Sequence, residues 1–241
     1  MASKNEIIGK GAEAIIYLKT EGEHSGQCNV IKDRVKKNYR IPEIDVQFRK
    51  FRTRREAKIL EKAQSIEGFY APKLISMDDK GMLVTMEHIS GQKLRDVLEA
   101  SDYRDICKRI GIKVARMHAA GIIHSDLTTS NMILSEKNKK IYFIDFGLGY
   151  FSEKIEDRAV DLHLLRQALE SKHYTIWEEC FESVLEGYKQ EMRKKEYENK
   201  SNNEGRNFEA IVKRLIVVEN RGRYKHKTDY YTKLYGKLFK T

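Results

Sequence analysis

His124, Asp126 and Asn131 stand within one polar octet, HSDLTTSN, that runs straight into the apolar Met132-Ile133-Leu134. Such an octet can be a solvated loop ahead of a strand. A carboxylate followed five residues later by an amide can also orient a hydroxyl with the first group and hold a divalent cation with the second, as phosphoryl transfer requires. Fourteen residues after Asn131, Asp145-Phe146-Gly147 follows the apolar run IYFI, and a carboxylate leaving a buried strand is well placed to ligate a metal. Upstream, Gly9-Lys10-Gly11-Ala12-Glu13-Ala14 separates two apolar segments. Glycine there lets backbone N–H groups approach a phosphate without a Cβ clash, although most such turns are only hairpins. The spacing is not that of a Walker loop. Lys32 ends the strand-like VIK, and an ammonium at the end of a buried strand needs an anion. Glu56 sits among four arginines; it either balances them at the surface or reaches inward to hold Lys32 against a pair of phosphates.

The elements that must position these groups divide into two halves. Residues 1–87 read as short strands around one helix: EIIG and AIIYLK flank the glycine turn, CNVIK follows, and KLISMDD and MLVTME meet at a tight turn at Lys80 and Gly81. Pro42 can open the helix, because its missing N–H would be unpaired in the first turn. Ile44, Phe48, Phe51, Ile59 and Leu60 then predict a single apolar face. Residues 88–220 turn helical after Gly91, with Ile106, Ile110, Val114 and Met117 at three- and four-residue steps before Gly121, a C-cap. Strands at MIL (132) and KIYFID (140) interrupt, and helices are expected over 157–171, 175–195 and 206–220, with KKEYENKSNNEG as a loop. The expected fold class is α+β, bilobal, with a strand-rich N-lobe and a mostly helical C-lobe around a cleft, and a basic, aromatic tail at 221–241.

Composition narrows the setting. The chain has 241 residues, 40% apolar and 34% charged, and no apolar run approaches the roughly 20 residues that span a bilayer. The N-terminus has no uninterrupted apolar stretch of the kind a signal peptide carries. Cys28, Cys107 and Cys180 are scattered and odd in number, which fits a reduced intracellular location, cytoplasmic or nuclear, and makes no zinc site. The net charge of +10 is uneven: residues 221–241 hold seven Lys or Arg against one Asp, and RKFRTRR (49–55) is a second basic run. Arg49, Arg52, Arg221, Arg223 and Lys225 are therefore candidates for contact with nucleic acid or a partner, against the plainer reading of a wet surface.

Taken in order, these segments resemble the signature series of protein-kinase-like phosphotransferases. The resemblance implies Asp126 as catalytic base, Asn131 and Asp145 as Mg²⁺ ligands, and Lys32 on the α- and β-phosphates of ATP with Glu56 orienting it. It also implies Gly9, Gly11 and Ala12 over the phosphates, Met86 as gatekeeper, and the backbones of Glu87 and Ile89 against the adenine. His124 would brace the loop and Asp161, in EDRAVDLHLL, would anchor its backbone; a plain first-turn Asp favoured by the helix dipole is the alternative. Ser125 stands where regulated kinases carry arginine, so control by activation-loop phosphorylation is not expected. Only 15 residues separate Asp145 from Asp161, with no APE after them, so the usual peptide platform is missing.

These departures resemble one family closely: the atypical kinase-ATPase subunit of the KEOPS (EKC) complex, the p53-related protein kinase family. Its GAEA loop is matched by Gly11–Ala14, its K-x-R-x-x-K-x-Y-R-x-P-x-x-D stretch by Lys32 through Asp45, and its H-x-D-L-T-x-S-N loop by His124–Asn131. IDFGLG, E-D-x-x-V-D-L and the R-G-R at 221–223 complete the match. The resemblance implies ATP and Mg²⁺ as cofactors, the enzyme forming N6-threonylcarbamoyladenosine (t6A) and the other KEOPS subunits as partners, tRNA as a ligand, and no membrane. Residues after Arg223 depart from the family, and their Lys/Tyr mixture suits either a tRNA arm or a terminal helix packed on its own domain. A small-molecule phosphotransferase of the aminoglycoside or choline kinase type, and a non-enzymatic scaffold, are the competing functions.

Overall fold

The computed structural model of the protein describes residues 5–20, 28–194, 208–221 and 236. Strands β1 (Asn5–Lys10), β2 (Ile15–Thr20), β3 (Cys28–Asp33), β4 (Leu74–Asp78) and β5 (Leu83–Glu87) form one antiparallel sheet in the order β1-β2-β3-β5-β4. Val30 pairs with Met86 and Lys32 with Val84, so the strand carrying the lysine is central and cannot slip without turning every inward side chain outward.

Helix α1 (Pro42–Gln64) crosses this sheet with Pro42 in its first turn, Glu43 and Asp45 beside the positive end of its dipole and Lys62 at the other end. The single apolar face expected for it is not what folds. Ile59 and Leu60 are buried, but Ile44, Phe48 and Phe51 are 43%, 50% and 58% exposed. The inward stripe of the first half is instead polar: Asp45, Thr53 and Glu56 are buried there and lead on to Ile59 and Ala63. Ion pairing, described below, selects that stripe over the hydrophobic one, and Phe51 is left outside under the guanidinium of Arg55.

A second region is mainly helical. Gly91–Lys93, expected to begin helical structure, forms strand β6 instead, followed by the short α2 (Leu94–Val97). Glycine is required at 91, because a Cβ there would overlap the carbonyl of Leu134. Helix α3 (Tyr103–Ala119) starts with the side chain of Asp102 accepting from the Asp105 N–H and ends at Gly121, whose φ of +75° is the left-handed turn that favours glycine. After it come β7 (Ile122–Ile123), a 3₁₀ turn at Thr129–Asn131, β8 (Met132–Ser135), β9 (Ile141–Phe143) and β10 (Tyr150–Phe151). β6, β8 and β9 make one small sheet, and β7 pairs with β10. Helices α4 (Ile155–Lys172), α5 (Trp177–Met192) and α6 (Phe208–Asn220) close the region, and none of the described helices is long and apolar enough to cross a membrane. The loop expected before α6, apart from Lys194, and the tail after Arg221, apart from residue 236, lie outside the described residues.

The core of the helical region is the α3–α5 contact. Ile110, Val114 and Met117 are fully buried with Phe181, Val184, Leu185 and Tyr188. The helices touch backbone to backbone: a Cβ at Gly111 would overlap the Val184 carbonyl, and one at Gly187 the Lys108 carbonyl. Overpacking of this kind typically costs 1–3 kcal/mol. Gly111→Ala and Gly187→Ala should each lower the unfolding free energy by about 2 kcal/mol, measured by urea titration. Unchanged midpoints in both would contradict this packing.

Candidate active site

Three elements deliver charge to one point. β3 brings Lys32, α1 brings Glu56, and the turn after β9 brings Asp145; Lys32 Nζ lies 2.7 Å from Glu56 Oε1 and 2.6 Å from Asp145 Oδ1. Arg34 adds a second cation, 2.5 Å from Glu56 Oε2. The side chains of Lys32, Arg34 and Glu56 are almost wholly buried, where an ionised group survives only if it is paired. Burial pulls the Lys32 pKa down, but the facing Glu56 and Asp145 carboxylates outweigh it and the ammonium is held above its ordinary value. Burial would raise Asp145, yet Lys32 and the Gly147 N–H hold its carboxyl below the usual range.

The octet wraps a strained loop around a fixed carboxylate. Ser125 has φ +62°, a left-handed conformation that costs a non-glycine residue about 1–2 kcal/mol. Asp161, fully buried on α4, accepts the His124 N–H at one oxygen and the Ser125 N–H at the other, both at 2.8 Å, and so holds that conformation. His124 is itself buried, with Nε2 3.1 Å from the Ile144 carbonyl, Nδ1 accepting the Asp126 N–H, and its ring against Phe146. It braces the loop against the Asp145 turn. The Asn131 amide N–H donates to the Asp126 carboxylate at 2.7 Å and to the Asp126 carbonyl at 2.9 Å.

A cleft joins these groups. One part, about 340 Å³, is lined by Val30, Met86, Glu87, Ile89 and Ile133 and suits a flat apolar ring. The other, about 370 Å³, is lined by Gly9, Gly11, Ala12, Lys32, Asp126 and Asp145. Lys32 and Asp145 belong to both walls. A larger cavity of about 690 Å³, near Lys73 and Tyr142, shares Glu87, His88 and Ile89 with the first part but is lined by none of Lys32, Glu56, Asp126, Asn131 and Asp145. Because Asn131 uses its N–H on Asp126, its Oδ1 remains as an oxygen donor, and the Asp145 carboxylate is half-exposed to the cleft. Two oxygen donors beside a phosphate-sized cavity fit Mg²⁺, which keeps waters and takes its remaining ligands from phosphates.

Every core residue expected from the sequence thus lines or supports this cleft. The basic run, which composition left open between a nucleic-acid or partner contact and a wet surface, is paired within the protein. Arg49 is tied to Asp45 at 2.7 Å and to the Arg34 carbonyl, Arg52 to Glu13 at 2.8 Å, and Arg54 to Asp79 at 2.6 Å, because carboxylates of neighbouring segments reach them first. Arg221 pairs with Glu156 of α4; Arg223 and Lys225 lie outside the described residues. Arg34 and His118 were missed as site residues. Arg34 is two residues beyond Lys32, so the two-residue period of extended chain puts both on one side. His118 follows Val114 by one helical turn, and its Nε2 is 3.1 Å from Asp161 Oδ2 while its Nδ1 is 3.0 Å from the Tyr188 hydroxyl.

Comparison with known proteins agrees with this geometry. The protein kinase domain family matches residues 2–176. The KEOPS complex subunit Bud32 of Pyrococcus abyssi is 42% identical over 229 residues, covering 92% of this chain and 98% of that protein. A probable bifunctional tRNA threonylcarbamoyladenosine biosynthesis protein of Methanothermobacter thermautotrophicus is 43% identical over 220 residues, which are 91% of this chain but 36% of that protein. Relatives of the same description from Methanobrevibacter smithii and Methanocaldococcus jannaschii are likewise spanned over little more than a third of their length. Among solved structures, the Rio2 kinase–ADP/Mg²⁺–phosphoaspartate complex of Chaetomium thermophilum shares the fold, with a TM-score of 0.61 and 13% identity, over 98% of this chain and 71% of that one.

Burial depresses the His118 pKa despite the opposing pull of Asp161, so the ring is neutral in the folded protein, its Nε2–H donating to Asp161 and its Nδ1 accepting from Tyr188. Below its ordinary value of about 6.5 the unfolded chain takes up a proton that the folded chain refuses, so stability falls with pH. Unfolding free energy measured at pH 7.5 and 5.0 should fall less steeply in His118→Gln than in the wild type. Equal slopes would show that this ring is not excluded from protonation.

Proposed function

The chain belongs to the protein kinase domain family, alongside the KEOPS subunit Bud32, and from that membership we propose that it is a Mg²⁺-ATP-dependent phosphotransferase and ATPase of the complex that makes t6A in tRNA. The observation that carries the reading is the Lys32–Glu56–Asp145 node at the wall of a cleft that also contains Asp126. Lys32 exchanges Asp145 for the α- and β-phosphates of ATP while Glu56 keeps its direction. Asn131 and Asp145 would hold Mg²⁺, which supplies charge neutralisation for the phosphates. Asp126, steered by the Asn131 N–H, orients the attacking hydroxyl and receives its proton. The bond from the γ-phosphorus to the β–γ bridging oxygen breaks as the new P–O bond forms, and ADP leaves. Water as acceptor gives ATP hydrolysis; a serine or threonine of the chain or of a bound protein gives phosphorylation. The short link from Asp145 to α4, holding only β10, supports hydrolysis and autophosphorylation over a broad peptide specificity.

The relatives' names support the assignment to t6A synthesis. In the bifunctional relatives the matching region makes up little more than a third of the protein, which supports a t6A-forming activity as the partner of this region. The net charge of +10 supports tRNA as a further ligand.

Removing a positioned base typically costs about 10² to 10⁴ in rate. Asp126→Ala and Lys32→Ala should each reduce ATP turnover by at least about 10² while leaving the circular dichroism spectrum unchanged. Turnover should rise when the t6A-forming enzyme and tRNA are added. Near-normal turnover in a folded Asp126→Ala protein would reject the proposed role.

A further inference from the structure

Glu13 is a carboxylate at the tip of the loop that lines the phosphate-sized cavity, where it would repel a polyphosphate if left bare. Two arginines neutralise it. Arg52 Nη1 lies 2.8 Å from Glu13 Oε2, and Arg40 Nη2 lies 3.2 Å from Glu13 Oε1. Lys37 donates to the neighbouring Ala12 carbonyl, so the loop tip is tied both to α1 and to the segment before it.

Arg52 lines the same cavity as Lys32, Asp126 and Asp145. The octet HSDLTTSN contains neither Lys nor Arg, so positive charge facing a terminal phosphate comes from the other cations that line the cavity: Lys10 at the exposed end of β1, Lys32 and Arg34 on and just after β3, and Arg52 on α1. The cations there are not equivalent. Lys32 holds two carboxylates, and Arg34 is buried against Glu56. Among the described residues Arg52 has a single carboxylate partner, Glu13, and that partner keeps Arg40 if Arg52 departs. The side chains of Arg52 and Glu13 are 25% and 41% exposed, so the exchange requires no opening of the core. Nearby, burial lowers the Arg55 pKa, and the positive charges of Arg52 and Arg34 add to the effect.

Resting on the nucleotide site proposed above, we propose that Arg52 recognises the terminal phosphate of a bound nucleoside triphosphate, and that Glu13 is the internal carboxylate it exchanges for that phosphate. The glycine loop is tied to α1 by Glu13 when the terminal phosphate is absent and released from Arg52 when it is present. A planar guanidinium can grip phosphate with two N–H groups, so the contact discriminates triphosphate from diphosphate. Glu13 competes with the ligand, and its removal strengthens triphosphate binding.

The test is calorimetric titration of the full chain with Mg²⁺ and either ADP or β,γ-imido-ATP. Arg52→Ala should weaken the triphosphate analogue by about tenfold, the scale of one charge-assisted hydrogen bond, while ADP changes by less than about twofold. Arg52→Lys should recover part of the difference. Glu13→Gln should tighten the analogue and leave ADP unchanged, and Glu13→Gln combined with Arg52→Ala should behave as Arg52→Ala alone. Equal weakening of both nucleotides in Arg52→Ala, or weaker analogue binding in Glu13→Gln, overturns the proposal, since either would mean that the pair only holds the loop in shape. Wild-type protein that binds neither nucleotide overturns the nucleotide-site reading and this inference together, whereas wild type that binds both with loss of discrimination in neither variant overturns this inference alone.

Discussion

A single ammonium shared between two carboxylates sets the terms for the rest of the molecule. Lys32 comes from the central strand of the sheet, Glu56 from α1 and Asp145 from the turn after β9, so one part-buried node joins the strand-rich part to the helical part. Burying ions is costly, and a buried pair is seldom kept for stability alone. Here the arrangement is a lodged charge with somewhere else to go. Arg34 keeps Glu56 satisfied when Lys32 turns to another anion, and Asp145, half-exposed, is the partner most easily exchanged. The helix accepts the consequence: its inward stripe carries Asp45, Thr53 and Glu56 while Phe48 and Phe51 stand in solvent.

A second fixed charge governs the octet. Asp161 takes three hydrogen bonds, from two backbone N–H groups and one imidazole, and through His118 and Tyr188 it is joined to the α3–α5 core. The left-handed conformation at Ser125 is thus tied to the close-packed contact between α3 and α5. Asp145, also at φ +62°, is braced from the other side by His124 and Phe146. A strained residue lining the cleft, Asp145, and another next to the lining Asp126, Ser125, each held by buried partners, are the mark of a preorganised site.

Much of this was legible in the residues themselves. The two hairpins of the five-stranded sheet, the turn at Gly81, the apolar face of α3 and the order of Lys32, Glu56, Asp126, Asn131 and Asp145 follow from periodicity and motif spacing, which are local. What was not legible depended on partners distant in sequence. Ile44, Phe48 and Phe51 keep helical spacing as well as Asp45, Thr53 and Glu56 do, and only the cations on β3 and after it decide which stripe turns inward. Arg52 reads as surface charge until Glu13, 39 residues away, is seen beside it. Gly91–Lys93 becomes a strand because β8 offers it an edge. The basic tail, whose role composition left open, lies outside the described residues after Arg221, apart from residue 236.

The central claim is that the charge lodged on Lys32 and Asp145 awaits a metal-bound nucleotide. Its most direct test is the rate of phosphate release from ATP by the purified chain across a Mg²⁺ titration, for the wild type and for Asp145→Asn. The predicted result is saturable, Mg²⁺-dependent turnover that is lost with EDTA and in Asp145→Asn. Turnover indifferent to Mg²⁺, or preserved in a folded Asp145→Asn protein, would contradict it.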